Sequence, residues 1–212
     1  EIAAWRSELG LSPESPILVF FSQPVETKTN KPIPQTISDT TTVRQIVTSL
    51  AQASVSSGIP SQLVVKAHPM ETSKSLKAAG ADINSEDIDL RIIETYDARK
   101  LICVADAVFG MTSTALLEAG LGGKPTYSIQ IGEKRSGPMD SFYSTHTGIT
   151  TQVYDTSKLD RIMSDLLDSA PSSRGVFREA IFRGSTTRTA DMILSHGDTL
   201  DVPESSNTGN PL

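Results

Sequence analysis

The chain has 212 residues, enough for one domain of generous size or two small ones. Nineteen basic residues against 25 acidic ones leave a net charge of −6. That balance excludes general nucleic-acid binding, which needs a basic face, yet leaves room for a small basic pocket around one phosphate. A single cysteine, Cys103, excludes an internal disulfide framework and a cysteine-built zinc site.

Within the run LICVADAVF, Cys103 is predicted to pack as a small buried hydrophobe. No apolar run approaches the about 20 residues that cross a bilayer, so no transmembrane segment is predicted. Peripheral association with a membrane stays open. No charged-then-apolar leader opens the chain, and with one cysteine the expectation is a reduced, cytoplasmic setting. The chain starts on Glu1 rather than Met, so it reads as a piece of a longer protein.

In chain order, residues 1–9 read as a short helix or linker stopped by Gly10. Ile17 to Phe21 (ILVFF) is a continuous apolar run of strand length, as expected for a strand covered on both faces. Residues 22–38 hold three prolines and two lysines and read as a long loop. A helix is predicted from Asp39 to Ser57, with Val43, Ile46, Val47 and Leu50 on one stripe and Gly58 and Pro60 as its stop. Gln62 to Lys66 is a second strand, followed directly by His68-Pro69. A helix from Glu71 to Ala79 ends at Gly80. Leu90 to Ile93 is a third strand, and Tyr96 to Val104 a short helix. Ala107 to Phe109 is a fourth strand, Gly110 to Ser113 a turn, and Thr114 to Leu121 a helix closed by Gly122-Gly123. Pro125 to Ile129 is a fifth strand. Residues 136–147 read as irregular, and 148–154 as a last strand. Helices are predicted over 157–167, 173–181 and 189–194. Residues 197–212 lack apolar periodicity and read as a disordered tail behind a domain of residues 1–196.

Strands alternating with helices imply an α/β class: a Rossmann-like parallel sheet with helices on both faces, joined by right-handed crossovers. Ligands of such a sheet bind at the carboxyl ends of its strands. Three polar segments fall there: Ser22-Gln23-Pro24, Lys66-Ala67-His68-Pro69 and Gly110-Met111-Thr112-Ser113-Thr114. His68, held extended by Pro69, can donate to a phosphate oxygen or protonate a leaving phosphate; the plain alternative is a solvated turn histidine. Lys66 alternates to the same face and can add charge or reach to water.

The turn from Gly110 to Thr114 combines free backbone N–H groups, a helix start and the hydroxyls of Thr112, Ser113 and Thr114. Anion binding and ordinary helix capping compete as its role. Glu118 follows one helical turn later and can accept ribose hydroxyls or simply face solvent. Glu94, Tyr96, Asp97 and Arg99 can border a base pocket, and Arg135 lies in an irregular stretch. His146 and His196 stand alone, so no metal site is predicted. No Ser-His-Asp signature and no GxSxG elbow is present.

Together these segments resemble the C-terminal, nucleotide-binding half of GT-B glycosyltransferases. The nearest resemblance is to bacterial sialyltransferases and polysialyltransferases and to the related capsule and teichoic-acid polymerases. His68-Pro69 within KAHP matches the family's HP motif, and Ser113-Thr114 its Ser/Thr pair. The segment LLEAGLGGKP resembles the ribose-facing helix, and VFFSQP, with Gln23, the first strand and its cleft-facing loop. The likeness covers residues 11–130. It implies that His68 contacts the donor phosphate and assists its departure, that Ser113 and Thr114 hold the phosphate, and that Glu118 holds the ribose. Lys66, Pro69, Gly110, Thr112 and Gln23 border the same site.

The resemblance further implies a nucleotide-activated sugar as substrate, CMP-sialic-acid-like by preference, with no separate cofactor and no metal. The family's acidic-glycine base motif lies in the N-terminal half and has no match here. The expectation is therefore a donor-binding half whose glycan acceptor is held by a missing N-terminal domain. Two other readings stay open. One is half of a sugar-nucleotide 2-epimerase, which shares the fold; the other is a non-catalytic nucleotide-binding or interaction module.

Overall fold

A computed structural model describes residues 1–23, 38–70, 73–81, 86–132 and 148–169. The described elements are α1 (Ile2–Glu8), β1 (Ile17–Phe21), α2 (Asp39–Ser57), β2 (Ser61–Lys66), α3 (Ser73–Ala81) and β3 (Ile88–Ile93). There follow α4 (Ala98–Val104), β4 (Ala107–Gly110), α5 (Thr114–Leu121), β5 (Thr126–Ile129), β6 (Thr151–Val153) and α6 (Thr156–Asp168). All of them belong to a unit spanning Glu1–Arg178. The predicted tail over 197–212, the helices over 173–181 and 189–194 and most of the 22–38 loop lie outside the described residues.

The six strands form one sheet in the order β3-β2-β1-β4-β5-β6, with every described pairing parallel. A parallel neighbour cannot be reached by a hairpin, so each connection crosses a face of the sheet, and helices come to cover both sides. The alternation of β1 divides the core between those sides. Leu18 and Phe20 pack with Val43, Ile46 and Leu50 of α2, Leu76 of α3 and Leu159 and Met163 of α6. Ile17, Val19 and Phe21 face the other way, toward Leu101, Ile102 and Val104 of α4 and Leu116 and Ala119 of α5. All five β1 side chains are buried, which accounts for the unbroken apolar run.

Local chemistry sets the helix ends. Ser38 caps α2 by accepting the Thr41 N–H at 3.1 Å, and Gly58 closes that helix at φ 68°, a left-handed conformation open to glycine. Gly122 ends α5 as predicted, and Gly123, at φ 87°, turns the chain back toward β5. Two sequence expectations shift. The third helix runs from Ser73 to Ala81, so Gly80 lies inside it and does not stop it. Cys103 is half-buried, because the inward face of α4 is taken by Leu101, Ile102 and Val104.

Candidate functional site

The strand order reverses direction between β1 and β4, where successive crossovers leave the sheet on opposite faces. A crevice opens at such a switch point at the carboxyl ends of the strands. Here the ends of β1, β2 and β4 carry Ser22-Gln23, Ala67-His68 and Met111-Thr112-Ser113. The three segments singled out in the sequence therefore meet at one rim.

Hydrogen bonds tie them together. The Ser22 hydroxyl is nearly buried and accepts the backbone N–H of His68 at 3.1 Å, joining the β1 and β2 ends. The side-chain oxygen of Gln23 accepts the Thr112 backbone N–H at 2.6 Å and its hydroxyl at 2.9 Å, joining β1 to β4 across the switch point. The Gln23 backbone N–H in turn donates to the buried Asp39 carboxylate at 2.8 Å, at the start of α2. Asp39 is a site residue that the sequence reading missed. It reads locally as a first-turn acid of α2, and only the return of α2 to the sheet brings it beside Gln23.

His68 is half-buried at the end of β2, and its Nδ1 accepts the Met70 backbone N–H at 3.2 Å. Pro69 and Met70 beside it are exposed. Ser113 is the N-cap of α5, its hydroxyl accepting the Ala115 N–H at 3.3 Å. Of the three hydroxyls, that of Ser113 caps the helix and that of Thr112 donates to Gln23, while Thr114 is exposed on the first turn. Glu118 is half-buried one turn beyond Thr114, on the same side of the helix. Gly110 ends β4, paired with Phe21 and Ser128.

Lys66 has carbonyl partners at the rim. Its ammonium donates to the carbonyls of Ala67 and Glu94, each at 2.8 Å, and closes the ends of β2 and β3. Strand-end carbonyls lack ladder partners, and a lysine two residues short of His68 reaches them easily. Partial burial pulls its pKa below the ordinary lysine value.

Tyr96 and Asp97 also have partners within the fold. The Tyr96 hydroxyl donates to Glu8 at 3.1 Å, and Asp97 caps α4 through the Arg99 N–H at 2.8 Å. Behind the 111–114 turn, a buried polar relay runs from the Gln130 amide to the Ser128 hydroxyl at 2.9 Å and on to the Met111 carbonyl. Its sequence signal is Ser128 and Gln130, two residues apart in TYSIQ at the end of β5. Arg135, His146 and His196 lie outside the described residues. Among those described, no group of His, Cys, Asp or Glu could hold a metal ion, and no helix is long and apolar enough to cross a membrane.

No protein-family model and no curated protein matches the chain. Solved structures do. A candidate UDP-N-acetylglucosamine 2-epimerase from Listeria monocytogenes superposes with TM-score 0.56 at 16% identity, over 94% of this chain and 49% of that one. The wall teichoic acid polymerase TagF superposes with TM-score 0.54 at 11% identity, over 94% and 48%. An S. aureus MnaA–UDP co-structure gives 0.53 at 13% identity, over 99% and 52%. At such identities the likeness establishes the fold, a Rossmann-like α/β domain of the kind found as one half of GT-B glycosyltransferases and epimerases. The chain spans about half the length of the solved structures it matches.

Proposed function

We propose that this domain is the donor-binding half of a GT-B glycosyltransferase and holds a nucleotide-activated sugar at the β1–β4 switch point. The observation that carries the reading is the joined rim: Ser22 on His68 and Gln23 on Thr112 unite three polar strand ends where an α/β sheet takes its ligands. His68 contacts the donor phosphate. The first turn of α5, with Ser113 and Thr114, lends its N–H groups and positive helix end to the same charge. Glu118, one turn along, receives the ribose hydroxyls. Charge developing on the leaving phosphate is offset by fixed donors. Acceptor and general base belong to a second half, because chemistry of this type proceeds between two positioned partners.

The KAHP and Ser/Thr motifs favour a CMP-sialic-acid-like donor. The alternative is a UDP-sugar, which also suits the epimerase-like reading, and the MnaA–UDP co-structure speaks for that base in the shared fold.

A thermal-shift panel of CMP, CDP, UDP and GDP tests the reading. At 100 times Kd, binding stabilises by about 2.7 kcal/mol. In a domain of this size that raises Tm by roughly 5–11 °C. CMP or CDP ahead of GDP supports the sialyltransferase-like donor. A shift with UDP alone removes that donor and favours the UDP-sugar readings. No shift with any nucleotide refutes donor binding. The 212-residue chain incubated with labelled CMP-sugar and oligosaccharide acceptors is expected to bind without transfer, and multiple-turnover transfer would refute the half-enzyme reading.

A further inference from the structure

Strand β3 stands at one edge of the sheet, paired to β2 alone among the described residues. None of its side chains is buried, although four of its six residues, IDLRII, are isoleucine or leucine. The hydrogen bonds to β2 show which way its main chain points. The Asp87 carbonyl accepts the Ser61 N–H and the Ile93 carbonyl the Ala67 N–H, so the odd-numbered residues turn their N–H and C=O groups toward β2. The N–H and C=O groups of Ile88, Leu90 and Ile92 therefore point outward from the open edge. The side chains of these three rest on the α2 side of the core. Asp89 and Arg91 alternate to the opposite face, where they form an ion pair at 2.6 Å yet stay 43% and 34% exposed, open to a further partner.

We infer that the β3 edge is a self-association surface, on which a second copy of this chain adds its own β3 antiparallel, with Leu90 on the two-fold axis. The strand is complementary to itself when reversed about that residue. Leu90 meets the second copy's Leu90, and Ile88 meets its Ile92. These are the residues whose N–H and C=O groups point outward, so each pair exchanges both of its hydrogen bonds. Asp89 then stands opposite the second copy's Arg91 on both sides of the axis. Those are the non-hydrogen-bonded positions, where facing side chains approach most closely and opposite charges stabilise the pair. Moving the axis one residue either way sets Asp89 on Asp89 or Arg91 on Arg91, like charges that disfavour the register. Charged residues on an edge strand ordinarily block such pairing; here their order makes the two edges attract. The contact is isologous, the same patch serving both copies, as a closed dimer requires. Antiparallel pairing sends the carboxyl rims of the two copies to opposite ends of the joined sheet, so the inference is independent of the donor-site reading.

The test is sedimentation equilibrium of the 212-residue chain over a concentration series, with far-UV circular dichroism to check folding. A reversible monomer–dimer equilibrium is expected. Asp89→Arg and Arg91→Asp each set like charges across the axis and should weaken the dimer about tenfold or more. An equimolar mixture of the two variants faces opposite charges across the axis again and should associate as the unaltered chain does. Arg91 also donates to the Leu9 carbonyl, so its replacement acts on the fold as well. The register is therefore read in the unaltered chain too, as an isotope-filtered NOE between the Hα of Asp89 and the second copy's Arg91 in a mixture of labelled and unlabelled protein. A monomer into the millimolar range, a dimer indifferent to Asp89→Arg, folded variants that fail to associate when mixed, or a dimer without that NOE would overturn the inference.

Discussion

His68→Ala separates what the residue does for the ligand from what it does for the fold. The backbone N–H of His68, held by the buried Ser22 hydroxyl, is retained by any replacement other than proline. What alanine loses within the fold includes the hydrogen bond from the Met70 N–H to Nδ1, on a half-buried ring. Such a bond contributes about 0.5–1.5 kcal/mol. For a domain of this size the unliganded Tm should fall by roughly 1–6 °C. A hydrogen bond to a charged phosphate is stronger, about 1.5–3 kcal/mol, so the Kd for CMP or CDP should rise roughly 10- to 150-fold. Calorimetric titration beside ligand-free melting gives both quantities on one sample. A collapse of Tm with unchanged affinity would show His68 to be a packing residue and would remove it from the site.

Four further outcomes follow from the geometry. Ser22→Ala orphans the His68 N–H beneath the rim and should cost about 1–3 kcal/mol in urea unfolding while also weakening nucleotide binding; a loss in neither would break the link between β1 and His68. Asp106 accepts the Ile17 N–H at 2.8 Å and lies 3.7 Å from Arg6, and its charge opposes the burial that pulls the Lys124 pKa down. Asp106→Ala should therefore cost about 3 kcal/mol or more by denaturant titration, and Asp106→Asn, which keeps an acceptor, clearly less. In Gly120→Ala the new methyl would run into the Ile149 side chain and sit 3.1 Å from its carbonyl oxygen; despite the gain in helix propensity, Tm should drop, at a cost of about 1–3 kcal/mol. Burial and the Glu8 hydrogen bond push the Tyr96 phenol up to about 12, and burial raises Tyr127 in the same direction. Both groups hold protons in the folded state that the unfolded chain has released, so stability should fall as pH rises from 10 toward 12, and Tyr96→Phe should flatten that fall in alkaline melts followed by tyrosinate absorbance.

What the sequence determined by itself is local. The apolar run of β1, the stripe of α2 and the cap at Ser113 are decided by side chains within a few residues of one another, so periodicity and capping chemistry place them. The sequence also put Gln23, His68 and the 110–114 turn at strand ends, because an α/β alternation leaves polar residues at its carboxyl rim. Tertiary structure alone decided how these parts meet. Ser22 and His68 are 46 positions apart, Gln23 and Thr112 are 89 apart, and their contact depends on β1 lying between β2 and β4, an order that local pattern does not encode. The same holds for Lys66, whose partner in the Glu94 carbonyl appears only once β3 lies beside β2. Asp39 reads as a helix-start acid until the packing of α2 turns its carboxylate to the Gln23 N–H. A buried donor or acceptor must find a partner, and which one it finds depends on the strand order.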